Sequence, residues 1–172
     1  MRQPKGQALS PAPDPRLILK EEELETGLEL LLLAEASLWA AADMALEAEP
    51  LGLGRSHYRT LFLLKRRPGL GVRELARLTA LSKQGASRTL GELERLGLVA
   101  KVSGEADARR KPAQLTAEGA ALEARISERL RTQIGRAYRS GGLDAVAGAR
   151  RILSALAGGR LGVGRADAET EA

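Results

Sequence analysis

The chain contains no cysteine among its 172 residues. This absence excludes disulfides, zinc sites built on thiolates and thiol-based sensing of oxidants. It also has a single histidine, His57, which excludes a metal site built from several histidines and is a weak basis for binding haem. We therefore expect no bound metal and no cofactor.

Long apolar runs and aromatic residues are also scarce. No apolar run reaches the length of a membrane span, and the proline-rich, polar N-terminus does not have the layout of a signal peptide, so we expect a cytoplasmic protein without membrane contact. Leucine, alanine, arginine and glutamate abound, which favours a mainly α-helical protein. The aromatic residues are Trp39, Tyr58, Phe62 and Tyr138.

What the sequence does contain is a strongly uneven charge. Residues 51–115 carry fourteen basic and five acidic side chains, a net charge of +9, although the whole chain has only +5. Residues 16–50 carry two basic and nine acidic side chains, a net charge of −7. Such a basic segment is suited to facing the phosphates of a nucleic acid, and a merely solvated basic face is the alternative.

The first third of the chain predicts one long helix. Residues 1–15 contain four prolines and should form a disordered arm. In residues 16–50, leucines such as Leu24, Leu28 and Leu31 recur at steps of three and four. A helix of this length would span about 50 Å. Because that exceeds what a small domain needs, we expect its leucine stripe to pack on a helix of another chain.

Residues 51–115 predict the helices of a helix-turn-helix. Two short helices are expected at 56–66 and 72–78, and a turn at 79–82 leads into a third helix. Ser82 is suited to cap the start of that third helix, and Gly97 to end it.

A small β-wing is predicted to follow. Residues 98–102 and 112–115 can pair as two strands, with residues 103–111 as an exposed charged loop between them. Helix, turn, helix and wing occur in the order of a winged helix-turn-helix, which suggests a protein that reads DNA.

The exposed side of the third helix carries the candidate DNA-reading residues. An α-helix fits the major groove, and side chains on its N-terminal half meet base edges there. Arg88 is suited to guanine and Gln84 to adenine, each pair giving roughly 1–3 kcal/mol of discrimination. For each of the four candidate residues on this helix, the sequence leaves three roles open: base reading, phosphate contact and a solvated surface position. The four candidates are Lys83, Gln84, Ser87 and Arg88, and the candidate phosphate contacts are Arg55, Arg73 and Arg77.

The C-terminal part predicts two more helices. Thr116 should cap a helix at 117–139, which the sequence Ser140-Gly141-Gly142 should break. A further helix is expected at 143–157, and residues 158–172 are expected to form a flexible tail.

With these motifs the chain resembles the MarR family of bacterial transcriptional regulators over about residues 20–157. The resemblance is carried by the two DNA-reading helices, by Leu-Gly-Leu-Val at 96–99, by Asp-x-Arg at 107–109 and by Leu-Thr-x-x-Gly at 115–119. It implies a triangular homodimer in which the first helix and the last two helices of each chain interlock. Residues 16–50 and 116–157 are thus the expected dimerisation helices, flanking the DNA-binding domain.

The wing departs from the family's commonest pattern, Asp-Arg-Arg, because position 108 is alanine. By the resemblance, Asp107 and Arg109 keep the positions of a salt bridge that shapes the loop. An Arg109 held by Asp107 leaves Arg110 and Lys111 as candidates to reach the minor groove or phosphates. A solvated charged loop is the alternative.

The resemblance also implies what the protein does. We expect a homodimeric repressor that binds a pseudo-palindromic operator in double-stranded DNA and responds to a small-molecule effector. Effectors of the family bind where the dimerisation helices meet the DNA-binding lobe, although aromatic residues at such a junction are often plain core. The residues expected there are Trp39, Met44, His57, Tyr58 and Phe62.

Two other classes of function are the alternatives to a DNA-binding regulator. An enzyme is not expected, because His57 has Ser56 beside it but no evident acid in a triad arrangement, and no glycine-rich phosphate loop follows a strand. A winged-helix module that binds proteins without touching DNA is the stronger alternative. The surface at 82–88 favours DNA, since it is basic and polar where a protein-binding surface would be apolar.

Overall fold

Five helices and a two-stranded hairpin form the part of the chain that the computed structural model describes, residues 17–101 and 112–161. This architecture confirms the predicted class, mainly α-helical with a small β-wing. In chain order the elements are α1 (Glu21–Glu47), α2 (Arg55–Arg66), α3 (Val72–Thr79), α4 (Lys83–Arg95), β1 (Val99–Lys101), β2 (Ala113–Leu115) and α5 (Ala117–Leu161).

Helix α1 is the predicted long helix, but it begins at Glu21 rather than near residue 16. The Glu23 carboxylate accepts a hydrogen bond from the Lys20 backbone N–H at 2.8 Å, which satisfies one of the donors that precede a helix. Three consecutive glutamates in the first turn favour the start there, because negative charge is stabilised at the positive end of the helix dipole.

The helix-turn-helix is formed by α3, the turn and α4. Ala80 adopts the left-handed conformation with φ +59° and ends α3. Ser82 then caps α4, and its Oγ accepts a hydrogen bond from the Gly85 N–H at 3.0 Å, as predicted. Gly97, at φ +71°, turns the chain out of α4, a conformation that glycine adopts without a steric penalty.

The hairpin and the start of α5 lock together. Strands β1 and β2 pair antiparallel, with Val99 opposite Leu115. Thr116 caps α5 as predicted, since its Oγ1 accepts a hydrogen bond from the Gly119 N–H at 3.0 Å. The same hydroxyl donates to the Gly97 carbonyl at 2.8 Å, which fixes the end of α4 against the start of α5.

The core lies where the helix-turn-helix packs on the first half of α5. Side chains from four helices are essentially inaccessible to solvent there, so the helix-turn-helix and α5 share one hydrophobic core. The most deeply buried apolar residues are Leu61, Leu64, Leu75, Leu93, Leu122 and Ile126.

The predicted break near 140–142 is present at one residue. Gly142 has φ +77° and ψ 177°, so the helix changes direction there, and the chain resumes helical geometry at once. The helical run extends to Leu161, beyond the predicted end at residue 157. Two glycines at 158 and 159 weaken a helix by about 1 kcal/mol each but keep their N–H donors, so they do not have to end it.

Two apolar stripes lie outside this core. In the first half of α1, Leu24 and Leu28 are 56% and 60% exposed, and after Gly142 the side chains of Ile152 and Leu156 are 62% and 64% exposed. Within the described residues, nothing covers these stripes.

Candidate nucleic-acid interface and cleft

Helix α4 presents one polar face to solvent. Its other face is buried against the core through Ala86, Thr89, Leu90 and Leu93. The first turn contains no acidic side chain, so the positive end of the helix dipole stays available to an anion. The exposed residues on the first two turns are Lys83, Gln84, Ser87 and Arg88, the four that the sequence singled out.

The three arginines predicted to contact phosphates differ in their surroundings. Arg73 and Arg77 lie exposed on α3, next to the turn that leads into α4. Arg55 is also exposed, and it is held by α1, because its Nε donates to Asp43 Oδ1 at 2.9 Å and its guanidinium stacks over the Trp39 ring. The hydrogen bond from Arg55 lowers the pKa of Asp43 below its usual range. Arg55 is thus engaged in joining α2 to α1.

Arg88 is joined to a carboxylate on its own helix. Its Nε donates to Glu92 Oε1 at 3.0 Å, and Glu92 Oε2 lies 2.8 Å from His57 Nε2 on α2. The hydrogen bond from Arg88, and to a smaller extent the one from His57, lowers the pKa of Glu92, which keeps its carboxylate ionised.

His57 therefore has an acid partner that the sequence did not reveal. Its other ring nitrogen, Nδ1, accepts a hydrogen bond from the Gly54 backbone N–H at 3.0 Å. With both nitrogens engaged, the ring has no free position to serve as a base for the neighbouring Ser56.

The four wing residues that the sequence analysis names, Asp107, Arg109, Arg110 and Lys111, lie outside the described residues.

A cleft of about 750 Å³ opens between α1, α2, α3 and α5. Trp39, Tyr58 and Phe62, three of the five residues expected at this junction, line it together with the cations Arg59 and Arg131. The remaining lining residues are Glu35, Leu63, Leu78, Thr79, Ala80, Ser127, Leu130 and Ile134. His57 does not line this cleft, and Met44 lines a separate cavity between α1 and α5.

The rings in the cleft form one aromatic wall. Trp39 meets Tyr58 edge to face, with ring centroids 6.4 Å apart, and Tyr58 is 6.1 Å from Phe62. The Arg59 guanidinium lies 4.4 Å from the centroid of Trp39, within the range of a cation–π contact. The cleft thus offers flat apolar surfaces beside two arginines that are each paired with a glutamate, Arg59 with Glu35 at 3.8 Å and Arg131 with Glu128 at 2.9 Å.

A buried polar group lies behind this wall. The Tyr58 hydroxyl is 3.0 Å from Ser127 Oγ, Ser127 donates to Glu123, and Glu123 also accepts from Lys65 of α2. Burial raises the pKa of the Tyr58 hydroxyl. From the sequence, the only sign of this group is a glutamate next to Leu122 on the apolar stripe of α5.

Within residues 17–101 and 112–161, no three His, Asp or Glu side chains lie together in a way that would hold a metal ion. In the same residues, no helix is long and apolar enough to cross a membrane.

Known proteins are similar to this chain in sequence and in architecture. A family model described as the MarR family matches residues 51–110. The HTH-type transcriptional regulator PetP of Rhodobacter capsulatus is 35% identical over 147 residues, which cover 86% of this chain and 87% of PetP.

Solved structures that are similar to this one include two with bound ligands. CouR of Rhodococcus jostii, bound to p-coumaroyl-CoA, has a TM-score of 0.62 and 29% identity, covering 74% of this chain and 89% of CouR. A MarR-family protein of Mycobacterium tuberculosis in complex with salicylic acid has a TM-score of 0.56 and 29% identity, covering 81% of this chain and 97% of that one.

Proposed function

The chain belongs to the MarR family of transcriptional regulators, and from that premise we propose that it is a sequence-specific DNA-binding repressor acting as a homodimer on a pseudo-palindromic operator. The single observation that carries the proposal is the polar face of α4. Its first two turns expose Lys83, Gln84, Ser87 and Arg88, while its other face is anchored in the core. Binding to chromosomal DNA would place the protein in the cytoplasm.

The chemistry of that face suits the major groove. An arginine fork pairs with O6 and N7 of guanine, and a glutamine amide with N6 and N7 of adenine. Lys83 and Ser87 are suited to phosphate oxygens, which fix the register of the helix but carry no sequence information. We propose Arg73 and Arg77 of α3 as further phosphate contacts, with Arg109, Arg110 and Lys111 of the wing reaching the adjacent groove or backbone.

The proposal of a homodimer is supported by the two exposed apolar stripes. Leu24 and Leu28 of α1, and Ile152 and Leu156 beyond Gly142, expose more than half of their surface in the single chain. Large apolar patches of this kind mark interaction surfaces. A second copy that covers them would give two α4 helices on one scaffold, spaced to read two half-sites about one helical turn apart.

We further propose that a small aromatic acid binds the cleft and lowers the affinity for DNA. The wall formed by Trp39, Tyr58 and Phe62 offers ring faces to a planar ligand, and Arg59 and Arg131 offer positive charge to its carboxylate. The cleft lies between the scaffold helices and α3 of the DNA-binding lobe, so a bound ligand can bias their relative placement. The similar structure that contains salicylic acid supports this ligand class, and the one that contains p-coumaroyl-CoA supports an aromatic group in the ligand.

DNA binding is tested with Arg88→Ala, using fragments from the region upstream of the protein's own gene. We expect the wild type to prefer one fragment over scrambled duplex, with an affinity that falls steeply as salt rises. Loss of Arg88 removes one arginine–guanine pair from each of the two half-sites, so binding to the preferred fragment should weaken by about 30-fold or more while the dimer stays intact. Arg129→Ala, which removes the same charge from an exposed position on α5, is the matched control. Equal effects of the two variants would contradict the proposed role of α4.

Ligand binding is tested through Trp39, the only tryptophan, whose fluorescence reports directly on the cleft. Titration with salicylic acid should change this fluorescence and reduce binding to the preferred fragment. In Arg59→Ala the response should shift to higher ligand concentration, because a cation beside the ring is lost. A fluorescence change without any effect on DNA binding would contradict the coupling.

A further inference from the structure

Three hydrogen bonds connect the start of α2 to the exposed end of Arg88. The Gly54 backbone N–H donates to His57 Nδ1 at 3.0 Å, and His57 Nε2 lies 2.8 Å from Glu92 Oε2. Arg88 Nε donates to the second oxygen, Glu92 Oε1, at 3.0 Å. The series therefore ends on the residue proposed to read guanine.

The bonding partners fix where the ring proton of His57 lies. A backbone N–H can only donate, so Nδ1 must present its lone pair to Gly54. The proton is then on Nε2 and is donated to Glu92. Glu92 accepts on both oxygens, which gives every donor in the series a matched acceptor.

Exposure increases along the series. The side chain of His57 is 13% exposed, that of Glu92 is 34% exposed and that of Arg88 is 83% exposed. The series is thus anchored at its buried end and open at its DNA-facing end. Holding Nε against Glu92 leaves the two Nη groups of Arg88 as the outward edge, and an arginine fork can pair with O6 and N7 of guanine.

We propose that Glu92 and His57 are positioning residues that orient Arg88 for base reading. This inference rests on the proposed DNA-binding function. A long, exposed arginine samples many rotamers and loses that freedom when it binds a base. Restraint by Glu92 in the free protein removes part of this loss and favours one orientation of the fork, so Glu92 increases discrimination between sequences without contacting DNA.

If Glu92 acted only through its charge, it would weaken DNA binding and would not improve discrimination between sequences. A carboxylate on the DNA-facing helix repels phosphates, so its removal should strengthen binding to every duplex alike. A positioning role predicts that its removal reduces the preference for the selected sequence over a scrambled one. The two accounts therefore differ in the ratio of the two affinities.

The experiment compares wild type, Glu92→Gln, Arg88→Ala and the double variant. The probes are a duplex that the wild type enriches from a randomised pool and a scrambled duplex of the same composition. A glutamine at 92 has a donating NH2 group in place of one carboxylate oxygen, so it cannot accept at both of the atoms that now face His57 and Arg88. We expect Glu92→Gln to reduce the affinity ratio about 3- to 10-fold, a part of what Arg88 contributes, while affinity for the scrambled duplex stays level or rises. In the Arg88→Ala background the same change should leave the ratio unaltered.

A second variant tests the buried end of the series. His57→Phe keeps a ring at this position but cannot donate to Glu92, so it should reduce the ratio in the same direction as Glu92→Gln. Far-ultraviolet circular dichroism and the thermal midpoint verify that each variant folds. An unchanged ratio in both Glu92→Gln and His57→Phe, or an equal fall in the ratio with and without Arg88, would overturn the inference. A wild type that enriches no duplex would overturn the proposed function as well, which separates the two failures.

Discussion

Gly119 of α5 lies so close to the carbonyl of Leu98 that a Cβ added to the glycine would be 1.9 Å from the carbonyl oxygen. The same oxygen accepts the Thr116 N–H at 3.1 Å, so it cannot move away without losing that bond. This contact fixes where the scaffold helix begins relative to the wing strands.

Gly119→Ala should therefore be strongly destabilising. Relief of the overlap requires a shift of α5 away from β1, and we expect a loss of about 2–4 kcal/mol in the free energy of unfolding. Urea denaturation measures it. Gly91→Ala is the matched control, because a Cβ at that exposed position of α4 meets no described atom within 4 Å. Because alanine has a higher helix propensity than glycine, Gly91→Ala should raise the free energy of unfolding by about 0.5–1 kcal/mol. Similar losses in both variants would contradict the contact.

Among the acidic residues in the described part of α5, substitution of Glu123 should reduce the stability of the fold most. It is 1% exposed and accepts from both Lys65 and Ser127. Glu123→Ala leaves those donors unpaired, and we expect a loss of about 3 kcal/mol, at the lower end for a broken buried pair because Lys65 is itself partly exposed. Glu128→Ala, which breaks an exposed pair with Arg131, should change stability by less than about 0.5 kcal/mol. The account fails if the two variants unfold at the same denaturant concentration.

The docking of α1 should weaken in acid. A hydrogen bond from Arg55 lowers the pKa of Asp43, and one from Arg125 lowers the pKa of Glu49. For a carboxyl whose pKa is lower in the folded state, the stabilisation is present above its ordinary pKa, about 4, and is lost as the pH falls through the lowered value. The thermal midpoint of unfolding should thus decrease when the pH is lowered below about 4. In Asp43→Asn combined with Glu49→Gln the drop over this range should be smaller, and an equal drop would contradict the assignment to these pairs.

Local signals made much of the fold predictable. Ser82, Gly97 and Thr116 act through hydrogen bonds and backbone angles within a few residues of themselves, so their roles as caps and stops follow from sequence alone. The polar face of α4 follows from helical periodicity in the same way.

Pairings between distant segments were not predictable. His57 and Glu92 are 35 residues apart, and Lys65 and Glu123 are 58 apart, so only the packing of α2 on its neighbours brings them together. The pairing of Arg55 was unpredictable for the same reason, since its partner Asp43 belongs to the preceding helix. The sequence marked Arg55 as a cation but gave no sign that α1 would engage it.

The leucine stripe of α1 provides the test of self-association. Leu28→Glu places a charge in a face that we propose a second copy covers, and burial of an unpaired charge is costly. Sedimentation equilibrium should therefore show a dimer for the wild type and a monomer for the variant. Glu29→Gln, a change of charge at the neighbouring position, should stay dimeric. A monomeric wild type would contradict the homodimer.

The most direct test of the central claim, that two copies of α4 read one duplex, is selection of bound sequences from a randomised pool by the wild-type protein. We predict enrichment of an inverted repeat whose half-site centres lie about 10 base pairs apart, bound at least about 1,000-fold more tightly than a scrambled duplex. Enrichment of no sequence, or of an isolated half-site without its inverted copy, would contradict the account.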